Sequence, residues 1–311
     1  MEYVEYAMED LIIIGGGPAG LTAGLYAARS RLKTLLLEKL SPGGQVLLTD
    51  TVENYPGFPD GITGFELMDR MRRQAENFGL TIQSQEVIRL NLSPEKKEVV
   101  TDKGSLESRS LILTTGAMPR KLAVEGEERL TGKGVSYCAT CDGPFYRDRE
   151  VAVIGGGDTA VEEALYLTRF ASKVHLVHRR NALRATKLLQ ERAFAHEKIA
   201  FAWDTVPHRI LGEAGVEEIE LKHVKSGDLS RLRVDGVFVF VGYNPNNELA
   251  KGLLELDSYG FVVTDNDLKT SVPGVFAAGD IRSKLLRQIS TAVGEGATAA
   301  FAAERYLENV T

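Results

Sequence analysis

Cys138 and Cys141 stand in S-Y-C-A-T-C-D-G-P-F-Y and are the only cysteines among 311 residues. A thiol pair at this spacing can hold a metal, staple a loop or carry electrons. Structural zinc takes four protein ligands, and the nearest histidine in sequence is His175. As a staple, so short a loop contributes only about 2 kcal/mol in the loop-entropy model and ties together nothing distant. Disulfides in a reducing compartment are mostly transient or catalytic, so the spacing points to a redox pair. Asp142 follows Cys141 and is placed to deliver the proton that a leaving thiolate takes up. D-G-P is equally a turn sequence in its own right.

A redox pair needs an electron source, and an internal repeat suggests one. Residues 10–38 (DLIIIGGGPAGLTAGLYAARSRLKTLLLE) and 150–178 (EVAVIGGGDTAVEEALYLTRFASKVHLVH) run in register at an offset of 140. Each copy reads as a strand, a glycine motif, a helix and a second strand, the unit that cradles a pyrophosphate at a helix amino terminus. The first motif comprises Gly15, Gly17 and Gly20, with Pro18 and Ala19 opening the helix. The second comprises Gly155 and Gly157, with Ala160 in third place and Asp158 and Thr159 opening the helix. One such motif also serves plain strand-to-helix turns; two in register with correct flanks are a strong signal.

The residue ending each second strand separates the ligands. Glu38 would accept hydrogen bonds from an adenosine ribose and repel a phosphate, which suits FAD or NAD. His178 is followed by Arg179, Arg180 and Arg184, a set of forked donors suited to the 2′-phosphate of NADP. Taken alone, H-R-R-N-A-L-R-A reads as the solvated start of a helix over 185–196; its position just past the strand favours the nucleotide. His175 and His178 lie three apart on a strand and face opposite sides, so they cannot share a metal. His196, His208 and His223 have no partner spacing. Residues 270–280 read as a short buried strand ending at Gly279 and Asp280, where an Asp can hold a cofactor hydroxyl or simply cap a helix. Residues 285–307 read as a long Ala-rich helix starting nearby.

The elements that carry these residues fit the whole chain. Its length suits two domains of about 100–200 residues each, and 43% apolar with 26% charged residues is the composition of an ordinary globular protein. A net charge of -6 gives no electrostatic reason to bind nucleic acid or an anionic membrane. The amino end, M-E-Y-V-E-Y-A-M-E-D, lacks the basic and apolar regions of a secretory leader. The uncharged run 11–28 contains the glycine turn and reads as strand, turn and helix rather than a membrane span. The expectation is a cytoplasmic protein without metal, nucleic-acid or membrane partners.

Together with G-G-Q, V-E-N-Y-P-G-F, T-T-G-A, C-A-T-C-D-G, F-V-F-V-G-Y-N-P-N and L-R-Q-I-S-T-A-V-G-E-G, these motifs resemble, in order and spacing, the low-molecular-weight thioredoxin reductases of bacteria and archaea. The resemblance covers nearly the whole chain. It implies an α/β fold with two Rossmann-like dinucleotide-binding domains, of the pyridine nucleotide-disulfide oxidoreductase class II type. The FAD domain would be discontinuous, 1–118 with 243–311, and the NADPH domain, 119–242, would carry the redox pair.

By this resemblance FAD is held by Gly15, Gly17, Pro18, Ala19, Gly20, Glu38, Lys39, Gly43, Gly44, Gln45, Asn54, Thr115, Gly116, Gly279, Asp280, Arg287, Gln288 and Ile289. NADPH is held by Gly155, Gly157, Asp158, Thr159, Ala160, His178, Arg179, Arg180 and Arg184. Cys141 faces the flavin, Cys138 attacks the disulfide of thioredoxin or a thioredoxin-like partner, and Asp142 is the acid. A homodimer is also implied, as is rotation of the inserted domain between half-reactions. Asn181 and Pro144 depart from residues common in the family. Rival functions are a reductase of another thioredoxin- or glutaredoxin-like partner, of the alkyl hydroperoxide reductase flavoprotein type, a dithiol oxidase, and a flavin-bound redox sensor. The residues 1–9 ahead of the first strand leave no room for the extra dithiol domain of the peroxide-reductase form, and the C-x-x-C argues against a ferredoxin-NADP reductase.

Overall fold

The computed structural model describes residues 8–49, 51–93 and 96–310. They form two compact units, one joining the residues up to Met118 with those from Asn244 onward, the other Pro119–Tyr243.

In the first unit a seven-stranded sheet runs in the order Thr81–Ser84, Thr34–Glu38, Glu9–Ile14, Gly104–Leu113, Lys97–Thr101, Val87–Leu92, with Val275–Ala277 also paired to Gly104–Leu113. The strands around Glu9–Ile14 are parallel, and a meander of two antiparallel pairs closes one edge. Both faces of the parallel strands are buried, which explains their unbroken Ile and Leu runs. Leu11, Ile13, Leu36 and Ile112 pack on one side, and Ile12, Ile14, Leu35, Leu37, Leu111 and Leu113 on the other. Ile14 pairs with Leu37 and with Leu113, and Ala277 also pairs with Leu113. Four strands therefore end level, and the residues just beyond them share one edge.

Two helices cover the first face. Pro18–Arg29 begins with Pro in the first turn, where the missing N–H costs nothing. Ile289–Asn309 lies against it through small residues: a methyl added at Gly296 would sit 2.2 Å from the carbonyl oxygen of Ala19. The apolar pattern runs back to Leu285, yet the helix starts at Ile289. Gln288 and Thr291 form a reciprocal capping box that sets the start there.

The second unit has a five-stranded parallel sheet in the order Ile199–Ala202, Lys173–Val177, Glu150–Ile154, Gly236–Val239, Val135–Ser136, plus a three-stranded antiparallel sheet. Ile154 pairs with Val177 and Val239, and Ser136 with Phe238. The turn after Ile154, the residue after Val177 and the segment after Ser136 thus leave the sheet at one carboxyl edge, where open α/β sheets place their ligands. Among the described residues no helix is long and apolar enough to cross a membrane.

Candidate redox and dinucleotide sites

Cys138 follows the short strand Val135–Ser136 and caps the helical turn Ala139–Asp142. The two cysteines form a disulfide with Cα atoms 5.3 Å apart, both half-buried. Cys138 Sγ accepts a hydrogen bond from Cys141 N at 3.2 Å, and Asp142 N donates to Cys138 O at 3.1 Å. Asp142 is thus fixed one residue from the sulfur pair and half-buried beside it. Tyr146, at the end of the same loop, anchors it to the sheet: its ring meets Phe238 edge-on at 5.1 Å and fills the space where Gly236 lacks a side chain. Burial, reinforced by the Asp142 carboxylate, pushes the Tyr146 hydroxyl up to about 12, so it stays protonated.

At the same edge, the glycine turn 155–157 leads into helix Asp158–Leu167. An added methyl at Gly157 would meet nothing within 4 Å, which leaves open space at the helix start. Gly156 is the opposite case. Its missing side chain is replaced by the imidazole of His178, whose Nδ1 lies 2.2 Å from where a methyl would be. His178 is buried, and its Nε2 has no hydrogen-bond partner among the described residues. Burial holds its pKa below the ordinary histidine value, and Arg184, Arg179 and Arg180 add to that direction. Arg179, Arg180 and Arg184 are exposed, and none pairs with a carboxylate among the described residues. Asp158 accepts from Thr186 N at 2.7 Å, which ties the helix start to the loop beyond the arginines. Thr159 is exposed and Ala160 buried under the turn.

The first unit repeats the plan with different residues. Gly15 holds φ at +111°, and a methyl there would strike the carbonyl oxygen of Thr114 at 2.5 Å, so only glycine fits. Gly17 faces open space, while Pro18, Ala19 and Gly20 begin the helix. Glu38 Oε2 accepts from Gly16 N at 2.7 Å and Oε1 from Leu40 N at 3.0 Å, so the carboxylate braces the turn it stands beside. It also lines a cleft of about 430 Å³ with Pro42, Leu47, Ile82, Gln83 and Ser84.

Gly43 N donates to Gly16 O at 2.8 Å, and Gly44 abuts Gly17. Lys39 and Gln45 are exposed. Asn54 donates to Gln288 at 3.1 Å, joining two expected site residues that are far apart in the chain. Thr115 and Asn246 exchange two hydrogen bonds of 2.7 Å, and Gly116 O accepts from Asn246 N at 3.0 Å. Gly279 and Asp280 follow the Val275–Ala277 strand onto the shared edge, and the buried Asp280 Oδ1 lies 3.2 Å from Lys284 Nζ. Arg287 stacks over Phe261 at 3.9 Å, and Ile289 packs beside Val46 and Val52.

Two open helix starts, the strand-end carboxylate of Asp280 and three guanidiniums with no carboxylate partner among the described residues fit FAD on the first unit and NADPH on the second. The sequence reading overlooked Gly16 and Gly156, although three glycines in a row in both copies signalled them. Thr114, Asn246 and Glu295 lie inside the motifs T-T-G-A, F-V-F-V-G-Y-N-P-N and L-R-Q-I-S-T-A-V-G-E-G but were given no site role, and Lys284 lies in none of them. Glu163, in helix Asp158–Leu167, also went without a role in the sequence analysis. Its Oε2 is buried without a hydrogen-bond partner among the described residues, and burial, with Glu162 adding, pushes its pKa up to about 7. It lines a cleft of about 360 Å³ with Thr140, Glu162, Tyr166, Leu189 and Arg192.

Residues 9–296 match the family model "Pyridine nucleotide-disulphide oxidoreductase". A thioredoxin reductase of Peptoclostridium litorale is 48% identical over 307 residues, covering 97% of this chain and 98% of that protein. One from Streptomyces coelicolor is 48% identical over 303 residues, covering 96% and 94%. The crystal structure of a thioredoxin reductase from Streptococcus pyogenes superposes with a TM-score of 0.93 at 48% identity, covering 98% of this chain and 100% of that one. The chain belongs to the pyridine nucleotide-disulphide oxidoreductases, and among them to the thioredoxin reductases.

Proposed function

We propose that this protein is an NADPH-dependent reductase of thioredoxin disulfides. The observation that carries the reading is the Cys138–Cys141 disulfide at the carboxyl edge of the sheet that also carries the glycine turn and the exposed arginines. In this family FAD and NADPH together supply a two-electron path from a hydride donor to a disulfide. Glycines 15–20, Glu38, the 43–45 turn, Asn54, the 115–116 crossing and Asp280 through Ile289 would hold the first. The 155–160 turn, His178 and Arg179, Arg180 and Arg184 would hold the second.

The chain's own chemistry is thiol exchange. Once Cys138 and Cys141 are reduced, the Cys138 thiolate attacks one sulfur of the partner's disulfide. A mixed disulfide forms, and the other partner sulfur leaves as a thiolate that Asp142 protonates. Cys141 then attacks Cys138, which re-forms the internal disulfide and releases the partner as a dithiol. A disulfide built for exchange rather than as a structural staple supports a cytoplasmic setting, and the family resemblance supports a homodimer.

The purified protein should be yellow, lose its visible flavin absorbance under anaerobic NADPH, and regain it on addition of oxidised thioredoxin. Cys138→Ser should retain the bleaching and lose the recovery. Absorbance unchanged by NADPH would point to a different electron donor.

A further inference from the structure

Asp280 stands in an ionic cluster. Lys284 Nζ lies 3.2 Å from its buried Oδ1, 3.4 Å from Glu295 Oε2 and 3.4 Å from Thr291 Oγ1. Glu295 Oε2 accepts a 2.7 Å hydrogen bond from Gly279 N, and Oε1 pairs with Arg282 at 3.0 Å. Three members are largely shielded from water, with side-chain exposures of 8% for Lys284, 13% for Arg282 and 16% for Glu295, while the Asp280 side chain, at 35%, stays open to a ligand. Gly279 adopts φ +81°, and a methyl on it would press on Ala19 at 3.0 Å. The Gly279–Asp280 turn is therefore held from outside itself, by a carboxylate on the long helix.

We propose that Lys284 and Glu295 are positioning residues for the flavin-holding carboxylate. Glu295 locks the turn through Gly279 N–H, and Lys284 keeps Asp280 in the ionised, acceptor-only form that receives a hydroxyl of the flavin's polyol chain. The inference rests on Asp280 being a flavin-holding group. An ionised acceptor makes the stronger, charge-assisted hydrogen bond. Burial pushes the Asp280 carboxyl above its ordinary value; Lys284 and Arg287 oppose that rise, and Glu295 adds to it. Arg282 neutralises Glu295 and so shields Asp280 from it. An ionised carboxylate offers about four lone-pair sites, and Lys284 engages one on Oδ1, so acceptor capacity remains for a ligand hydroxyl.

The test is FAD titration of flavin-stripped protein, followed by quenching of flavin fluorescence at about pH 6, 7 and 8. Wild type should bind with a nearly constant Kd across this range. Lys284→Met leaves Glu295 paired with Arg282 and should weaken binding about tenfold more at the acid end than at the alkaline end, because the unassisted carboxyl takes up a proton there. Lys284→Arg should restore the flat profile. Glu295→Ala should weaken binding by about tenfold at every pH by freeing the turn. Lys284→Met with the wild-type affinity and profile, or Met and Arg variants equally weakened at all pH values, would overturn the role of Lys284. An unaltered Kd for Glu295→Ala would overturn the role of Glu295. Asp280→Asn tests the underlying reading separately, since binding equal to wild type would remove Asp280 from the flavin site.

Discussion

Glu163 shows how a single buried atom sets a pH response. Its pKa of about 7 lies above the ordinary 4.5 because burial disfavours the charged form and Glu162 adds repulsion. The folded protein therefore binds the proton more tightly than the unfolded chain does, and stability falls as pH rises from the unfolded value through about 7. Glu163→Gln should abolish that slope and stabilise the protein at pH 8 by on the order of 2 kcal/mol, after discounting for partial exposure. Denaturant midpoints at pH 5 and pH 8 measure it. The arginines beyond the second glycine motif act on a ligand instead. Arg179→Ala with Arg180→Ala should raise KM for NADPH by about one to two orders of magnitude and leave KM for NADH nearly unchanged. Equal losses with both coenzymes would remove the 2′-phosphate assignment.

Helix Ile289–Asn309 depends on small residues where it crosses helix Pro18–Arg29. Ala19, Ala23 and Ala27 face Gly296, Ala299, Ala300 and Ala303 in one buried cluster, with Gly296 placed against the Ala19 backbone. No flexible side chain can move aside there, since the obstacle is a carbonyl. Gly296→Val should destabilise the protein by roughly 2–3 kcal/mol through overpacking, and it should also loosen flavin binding because Glu295 and Gly279 move with the helix. Thermal unfolding with and without added FAD separates the two effects. In the second unit the equivalent dependence runs through Tyr146, which ties the disulfide loop to the Gly236–Val239 strand.

At the scale of the molecule, the chain leaves its first unit near residue 118 and returns to it at Asn244. The disulfide and the arginine-flanked turn lie on the inserted unit, and the Gly15 turn and Asp280 on the other. On the function proposed above, reduction of the disulfide and uptake of a hydride would both draw on the flavin ring, and if they compete for one face of it the inserted unit would turn between half-reactions. A cross-link that fixes the orientation of the two units should lower steady-state turnover by about tenfold or more while a single half-reaction proceeds. Unchanged multiple turnover in the cross-linked protein would remove the rotation.

The sequence alone determined the parts governed by short-range order. The glycine turns, the strand-end Glu38 and His178, the C-x-x-C loop and the repeat itself are legible because a few adjacent residues suffice to specify each conformation or charge. Where the long helix starts was misjudged by four residues because apolar periodicity continues past a boundary that a Gln288–Thr291 capping box sets. What only the tertiary structure decided are contacts closed over long separations: Thr114 under Gly15, Thr115 with Asn246, Asn54 with Gln288, and Glu295 on Gly279. The same holds for the protonation tendencies of Glu163 and Asp280, since the water each group loses on burial depends on neighbours that no sequence spacing specifies.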